Sequence, residues 1–376
     1  MSPELAAVIA VIVVAMAFDY TNGFHDAANA IATSVSTRAL TPRVALFIAA
    51  IGNFIGAHFG AKVAKTVGDG LVTLPTGLES LGVVFAGVLG AIIWNLITWY
   101  FGIPSSSSHA LFGGLVGATL FAAGGSVQWD NILNKVLLPM VLSPLVGFIL
   151  GALFMFALLW WVKGLIVVGR SRPVPDPADR PAGFVHGLRF SLHRTAIRAA
   201  NGIGVSVQPG PLNRTFRWLQ TISAAAMSVG HGMQDAAKTM GIIVLALYTG
   251  GFQDSKTHIP EWVYYSSATV LALGTWAGGW RIIRTLGRRI IHLGPPEGFA
   301  AETVASSVLY YNALVLGAPI STTHTITSAI MGVGATKKLS AVRWGVAGNI
   351  VTAWVLTFPC SALIAILAYF AVRPLF

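Results

Sequence analysis

Long apolar segments are the feature that most constrains what this chain can fold into. A membrane-spanning helix needs about 20 consecutive apolar residues, whereas the strands of a membrane barrel alternate over about ten residues. The sequence therefore predicts an all-α integral membrane protein with roughly 10–12 membrane segments. The apolar stretches lie at roughly 4–18, 43–67, 80–101, 108–123, 136–169, 219–249, 262–280, 299–318, 325–335 and 341–372.

The charge content leads to the same class of protein. Only 10% of the 376 residues are charged, whereas about 25% is typical of a soluble globular domain. So few charged residues cannot cover a water-exposed surface. We attribute the net charge of +11 to cytoplasmic loops beside membrane lipid, where Lys and Arg collect, and not to nucleic-acid binding. The single cysteine, Cys360, excludes a disulfide within the chain. The apolar N-terminus has no basic leader or cleavage site, so it is expected to be the first membrane helix.

A polar connector divides the chain into two membrane repeats. Residues 170–217 contain eight arginines and six prolines, so this connector is predicted to be cytoplasmic. It separates an N-terminal membrane repeat, 1–169, from a C-terminal membrane repeat, 218–376. The first residues carry Glu4 and no basic side chain, which places the N-terminus outside. The 136–169 stretch is either two helices broken near Pro144 or one long tilted helix.

The two membrane repeats share sequence motifs in the same order, at offsets of 209, 219 and 215 residues. If the N-terminus lies outside and the connector inside, the repeats are inverted in the membrane. Inverted repeats are typical of secondary transporters, with the substrate site near the midplane. The matching segments are HDAAN and QDAAK (25–29, 234–238), GAKVAKTVG and GWRIIRTLG (60–68, 279–287), and IPSSSSHALFGGLVGA and APISTTHTITSAIMGVG (103–118, 318–334).

The third motif predicts a pair of helix N-termini within the membrane. Proline favours the first turn of a helix, and Ser and Thr are good N-caps. The unpaired N–H groups of a helix N-terminus suit an anion. Two such termini facing each other, each on a short re-entrant segment, would cradle a tetrahedral oxyanion; alternatively the hydroxyls only pack between helices. The cradle residues are Ser106, Ser107, Ser108, Ser321, Thr322 and Thr323.

The first motif places a carboxylate in each repeat. Asp26 and Asp235 lie in apolar surroundings, where ionisable groups are costly and usually functional. Oxygen ligands suit a small hard cation, and Lys238 would offset the charge of an anion. The alternative for Asp26 is a structural pair with a basic residue. His25 is either a proton carrier or a structural histidine. The predicted coupling-ion set is Asp26, Asp235, His25, Gln234 and Asn22.

Other polar residues are expected to support this site. His109 and His324 are expected to hold their loops, and Glu302 to cap its helix or to assist coupling. Asn95 and Asn312 either reach the site or bridge helices. The basic pairs of GAKVAKTVG and GWRIIRTLG are expected to extend to lipid head groups; the alternative is that they attract the substrate.

Three segments resemble the inorganic phosphate transporter (PiT) family, closest to its bacterial low-affinity, proton-coupled branch. They are NGFHDAANAIAT, IIWNLITWYFGIPSSSSH and GFAAETVASSVLYYNALVLGAPISTTHTITSAIMGVG. The resemblance covers nearly the whole chain outside the connector. It implies a symporter, not an enzyme, that takes up phosphate across the plasma membrane with protons or sodium. It also implies inverted repeats with broken helices and re-entrant hairpins, no cofactor, and a homodimer.

The resemblance also assigns roles to residues. Asp26, Asn29 and Asp235 match the family's cation- and phosphate-site positions, and the hydroxyl runs match its cradles. Lys238, where the family signature has asparagine, is counted with the phosphate-binding residues because its charge would offset that of the anion. His25 and Gln234 stand where the sodium-coupled pattern has asparagine, which favours protons, and no metal site is certain. The alternatives are sodium symport, uptake of a neutral metal–phosphate complex, a sulfate permease on the same scaffold, a channel, and an intramembrane hydrolase using Ser108 with His109 or His25.

Overall fold

The computed structural model describes residues 2–122, 124–170 and 211–376. Most of the predicted connector, 171–210, lies outside the described residues, and its cytoplasmic placement stays a prediction. Its last residues are helical, because the first long helix of the C-terminal repeat already begins at Pro211. The predicted boundary of that repeat, residue 218, is therefore inside a helix.

The N-terminal repeat contains two long helices at its start and end and shorter ones between them. Its helices are α1 (Pro3–Ser36), α2 (Pro42–Ala57), α3 (Ala61–Gly70), α4 (Leu78–Phe101), α5 (Ser107–Thr119), α6 (Trp129–Asn131) and α7 (Leu138–Arg170), with a π-helical segment, Ile132–Leu137, joining α6 to α7. Two short antiparallel strands, β1 (Val72–Thr73) and β2 (Ser126–Val127), tie the loops after α3 and α5 together.

The C-terminal repeat follows the same order of long and short helices. Its helices are α8 (Pro211–Thr249), α9 (Glu261–Ala277), α10 (Trp280–Arg284), α11 (Pro295–Tyr310), α12 (Thr322–Ala335) and α13 (Trp344–Val372). Two π-helical segments, Thr285–Arg289 and Tyr311–Leu316, extend α10 and α11, and two 3₁₀ turns, Leu339–Ala341 and Arg373–Leu375, flank α13.

Each repeat packs against the other in matching pairs. Helix α2 packs on α8, and its counterpart α9 packs on α1. Likewise α5 packs on α13, and α12 packs on α7. The duplication found in the sequence is thus repeated in the packing, and each half completes the core of the other. The inverted orientation of the halves stays a prediction.

The helices confirm the prediction of an all-α membrane protein. Among the described residues, five helices are long and apolar enough to span a membrane, and the pair α2 and α3, bent by 65°, could add a sixth. The shorter α5, α9 and α12 and the more polar α8 do not meet that standard, so the number of crossings stays a prediction. The 136–169 stretch is not broken at Pro144, because α7 runs through this residue.

Glycines allow the two halves to approach closely. A Cβ at Gly274 of α9 would lie 2.3 Å from the carbonyl oxygen of Tyr20 on α1. A Cβ at Gly56 of α2 would lie 2.0 Å from the carbonyl oxygen of Val229 on α8. Small residues let helix backbones pack together within a membrane, so these contacts fix the distance between the halves.

Gly274→Ala is expected to lower stability by about 1–3 kcal/mol, because the added methyl must push α1 and α9 apart. The matched control is Gly348→Ala in α13, where a Cβ meets no atom within 4 Å. That control should be neutral or stabilising by up to about 1 kcal/mol through helix propensity. Unfolding of the two purified variants in detergent measures the difference, and equal stability would contradict the close-packing argument.

Candidate functional site

Two short buried helices begin at the predicted hydroxyl motifs. Ser106 is the N-cap of α5, and its Oγ accepts a hydrogen bond from the backbone N–H of His109 at 3.3 Å. Ser321 is the N-cap of α12, and its Oγ accepts from the N–H of His324 at 3.2 Å. Both predicted N-terminal caps are confirmed. The free N–H groups of two helices are therefore buried in the protein interior.

The N-termini of α5 and α12, one from each half of the protein, face each other. Ser108 Oγ donates to the carbonyl oxygen of Ile320, 3.2 Å away in the opposite loop. The His109 and His324 rings are in edge-to-face contact with centroids 4.4 Å apart. The His324 ring also stacks on Trp354, whose Nε1 donates to the carbonyl of Pro104 at 3.1 Å. These contacts agree with the expectation that both histidines hold the loops.

Helix α1 links the two cradles through Asp26 and Asn29. Asp26 Oδ2 accepts a hydrogen bond from Ser107 at 2.8 Å, and Oδ1 accepts one from Thr323 at 3.4 Å. The Asn29 amide donates to Thr322 at 3.1 Å and to Thr323 at 2.9 Å. Each of these side chains is 1% exposed. The predicted anion-site residues of α1, α5 and α12 thus meet in one buried pocket.

His25 and Gln234, which occupy equivalent positions in the two repeats, each contact a cradle loop. His25 Nδ1 lies 2.7 Å from Asp26, and Nε2 lies 3.1 Å from Thr98 and 3.4 Å from Ser105. Gln234 donates to the carbonyl of Ala318 at 3.3 Å and accepts from the N–H of Ile320 at 3.2 Å. Gln234 therefore bonds to loop backbone, whereas His25 also contacts a carboxylate.

A buried charged cluster on α8 lies opposite Asp26. Lys238 donates to Asp235 Oδ1, and both side chains are fully buried. His231 Nε2 lies 2.9 Å from Asp235 Oδ2, and its Nδ1 lies 3.0 Å from Asn53 Oδ1. Because Lys238 is already paired with a carboxylate, it brings no net positive charge to the pocket.

Carboxylates of both halves come together at this point. One ligand atom each from Asp26, His231 and Asp235 lies within 4.8 Å of the others. Two carboxylate oxygens and an imidazole nitrogen could hold a cation, and this donor set fits first-row divalent metals as well as protons. Asp26 and Asp235, both members of the predicted coupling-ion set, thus lie close together.

The expectation that Glu302 caps its helix is wrong. The cap of α11 is Glu297, whose Oε2 accepts from the N–H of Gly294 at 2.9 Å. Glu302 lies further along the helix and is fully buried. Its carboxylate accepts hydrogen bonds from Ser223 on α8, at 2.6 Å, and from Thr33 on α1. This residue therefore joins three helices and does not begin one.

The other three predicted asparagines differ in their contacts. Asn312 donates to the carbonyl of Val308 at 2.9 Å within its own helix and so does not reach the site. The side chains of Asn22 and Asn95 are buried and have no hydrogen-bond partner in the described part of the chain.

The segments after α2 and α9 each hold a turn of the opposite half, which the sequence alone did not indicate. Thr66 donates to the carbonyl of Gly317 at 2.8 Å, and Thr285 donates to that of Gly102 at 2.9 Å. Both glycines have positive φ and turn the chain from a helix end into a cradle loop.

The basic residues of the same two segments contact the helix ends just before these turns. Lys62 donates to the carbonyl of Leu314 at 2.6 Å, and Arg281 donates to that of Tyr100. These two exposed basic side chains therefore cap helix ends of the opposite half. The expected contact with lipid head groups stays a prediction.

Sequence reasoning also missed Asp19, Thr33 and His231. Asp19 and Thr33 lie seven residues before and after Asp26, which is the spacing of one helical face. His231 precedes Asp235 by four residues, so the two side chains are neighbours. Extending the helical period from each motif aspartate would have identified all three.

Lys238→Met is expected to lower stability by about 3–5 kcal/mol, because it leaves the Asp235 carboxylate buried without its partner. The double variant Lys238→Met with Asp235→Asn removes both charges and should recover part of that loss. Thermal unfolding of the purified variants in detergent gives the comparison. If the double variant were no more stable than the single one, the ion pair would not be the source of the loss.

Comparisons with known proteins agree with this site. The pattern of the phosphate transporter family matches residues 22–365. A protein of Rhizobium meliloti (strain 1021), described as a "probable low-affinity inorganic phosphate transporter", is 45% identical over 96% of both chains. A Bacillus subtilis (strain 168) protein with the same description is 38% identical over 98% of both.

A solved structure described as "the sodium-dependent phosphate transporter" has the same fold, with a TM-score of 0.80 at 24% identity, covering 99% of this chain and 100% of that one. The hydrolase alternative finds no support, since Ser108 donates to a backbone carbonyl and not to His109 or His25. The chain is thus a multi-pass membrane transporter and not an enzyme, and it belongs to the phosphate transporter family.

Proposed function

We propose that this protein takes up inorganic phosphate across the plasma membrane by secondary active symport, with protons as the coupling ion. The observation that carries the proposal is the meeting of two capped helix N-termini, α5 and α12, in one buried pocket with Asp26 and Asn29.

The pocket offers the donors that a tetrahedral oxyanion requires. Backbone N–H groups of two helix N-termini and the positive ends of their dipoles favour negative charge. The hydroxyls of Ser107, Thr322 and Thr323 and the Asn29 amide now bond to one another or to Asp26. Hydroxyl groups can rotate to donate to a ligand instead. Ser106 and Ser321 hold the helix ends that present these groups.

The charges of the pocket support symport. Asp26 and Asp235 are buried near one another, and Lys238 is the cation paired with Asp235. A phosphate anion entering beside them would leave buried negative charge uncompensated, which is very costly. Phosphate must therefore enter with at least one cation. We include Asn22 and Gln234 with His25 and the two aspartates in the set of residues that would bind the coupling ion.

Contacts with histidine favour protons. Each aspartate lies beside an imidazole, His25 with Asp26 and His231 with Asp235, and histidine titrates near neutral pH. Sodium symport is the alternative for the coupling ion. The grouping of Asp26, His231 and Asp235 also supports a second candidate, uptake of phosphate as a neutral complex with a divalent metal. A homodimer, with the N-terminus outside and the connector inside, completes the proposal.

Thr323→Val should lower phosphate uptake into proteoliposomes about tenfold or more, because it removes the hydroxyl that would donate to the bound phosphate. A hydrogen bond to a charged group contributes about 1.5–3 kcal/mol. The matched control is Thr327→Val, one turn further along α12 and equally buried, which should leave uptake nearly unchanged. Unlabelled phosphate should compete with labelled phosphate, and sulfate should not. Competition by sulfate alone would make the protein a sulfate permease.

Phosphate uptake should follow an imposed pH gradient, inside alkaline, with no sodium present. The physical reason is that protonation of the carboxylate–imidazole pairs compensates the anion charge. Labelled phosphate accumulated in proteoliposomes with and without the gradient measures this coupling, and a valinomycin-clamped sample controls for membrane potential. A requirement for a sodium gradient would assign the coupling to sodium, and a requirement for divalent metal would favour the metal complex.

A further inference from the structure

Helix α1 carries a second buried carboxylate, Asp19, outside the anion pocket. Asp19 is 0% exposed and precedes Asp26 by seven residues, about 10 Å along the helix axis at 1.5 Å per residue. It lies on the side of the pocket toward the N-terminus, which is predicted to face outside. The hydroxyl cradles and the Asp26 contacts described above do not involve this residue.

Asp19 belongs to a cluster of buried polar atoms without partners. In the described part of the chain, neither oxygen of Asp19 accepts a regular hydrogen bond, and the side-chain amide of Asn22 and the hydroxyl of Thr239 also lack partners. Thr239, on α8, is the hydroxyl that faces the Asp19 carboxyl group. Buried polar atoms are normally satisfied, so this group requires a proton, water or an ion between its members.

The charged groups around Asp19 do not neutralise it. Among the described residues, those that face it are Asp235 and Lys238, both on α8, and these two form an ion pair with each other. An isolated ionised carboxylate is too costly to bury and neutralises instead by binding a proton. The arrangement therefore favours a carboxyl group that gains and loses a proton as access to water changes.

Asp19 has no counterpart in the other repeat. The motif offset of 209 residues places Ser228 at the equivalent position of α8, where its hydroxyl donates to the carbonyl of Ala224 within the helix at 2.7 Å. The buried carboxylate is thus not part of the duplicated architecture. The repeated fold does not require a carboxylate at this position. We therefore expect Asp19 to have a function that only the N-terminal half provides.

We propose that Asp19, with Asn22 and Thr239, forms a separate proton-binding site that carries a coupling proton for phosphate uptake. In each cycle the carboxylate oxygen accepts one proton from water on the outer side and releases it to water on the inner side, so no other bond changes. The proposal rests on the proposed function. It adds a proton site at Asp19 to the carboxylate–imidazole pairs, at a distance from the anion-binding groups of α5 and α12.

The test compares two transport modes of wild type and Asp19→Asn in proteoliposomes. Exchange of labelled for unlabelled phosphate at equal pH needs anion binding without net proton movement, and should stay within about twofold of wild type for a variant that binds phosphate normally. Accumulation driven by a pH gradient needs the proton, and should fall at least about tenfold in this variant. Asp19→Glu should retain both modes. Asp130→Asn, an exposed aspartate on α6, is the control and should also retain both.

Asp19→Asn accumulating phosphate as wild type does would overturn the proposal, and so would loss of exchange and accumulation together. If Asp19→Asn does not fold, Asp19→Glu decides: its accumulation must depend on external pH differently from wild type, and an unchanged pH profile refutes the assignment. Failure of wild type itself to accumulate phosphate under a pH gradient would refute the proposed proton coupling, and the Asp19 assignment with it. Accumulation by wild type that Asp19→Asn leaves unchanged would refute the Asp19 assignment alone.

Discussion

The hydrogen bonds of one carboxylate hold the centre of this protein together. Asp26 accepts from Ser107 in the N-terminal half and from Thr323 in the C-terminal half, so a single side chain joins the two helix N-termini. The caps by Ser106 and Ser321, the packing of α1 between the halves and the position of Asn29 all serve this junction. The protein can bury a carboxylate at this position because hydrogen-bond donors surround its oxygens.

The repeats of the fold explain why such a junction exists. Each half supplies one short helix to the centre, and the helix that supports it belongs to the other half, since α5 packs on α13 and α12 packs on α7. The asymmetry between the halves lies in the ionisable side chains. Asn29 in one repeat is matched by Lys238 in the other, and His25 by Gln234. The scaffold is thus repeated, whereas the charges that it holds are not.

The sequence predicted the membrane class, the duplication and the helix starts at Ser106 and Ser321, because hydropathy, repetition and capping are local signals. It did not predict the role of Glu302, since the two helices that donate to it are distant in sequence. It did not predict that Lys62 and Arg281 cap helix ends of the opposite half, because those helix ends are also distant in sequence. Helical periodicity could have identified Asp19, which precedes Asp26 by about two turns. Its lack of hydrogen-bond partners, however, depends on how the helices pack.

The ends of α4 and α11 are each held from across the protein. Thr66 and Lys62 of one half hold the turn at Gly317, and Thr285 and Arg281 of the other hold the turn at Gly102. A tilt of either half would therefore pull on the turn that leads into the short buried helix of the other half. The two turns are thus crossed tethers, and a displacement of one half relative to the other would reach both short buried helices at once.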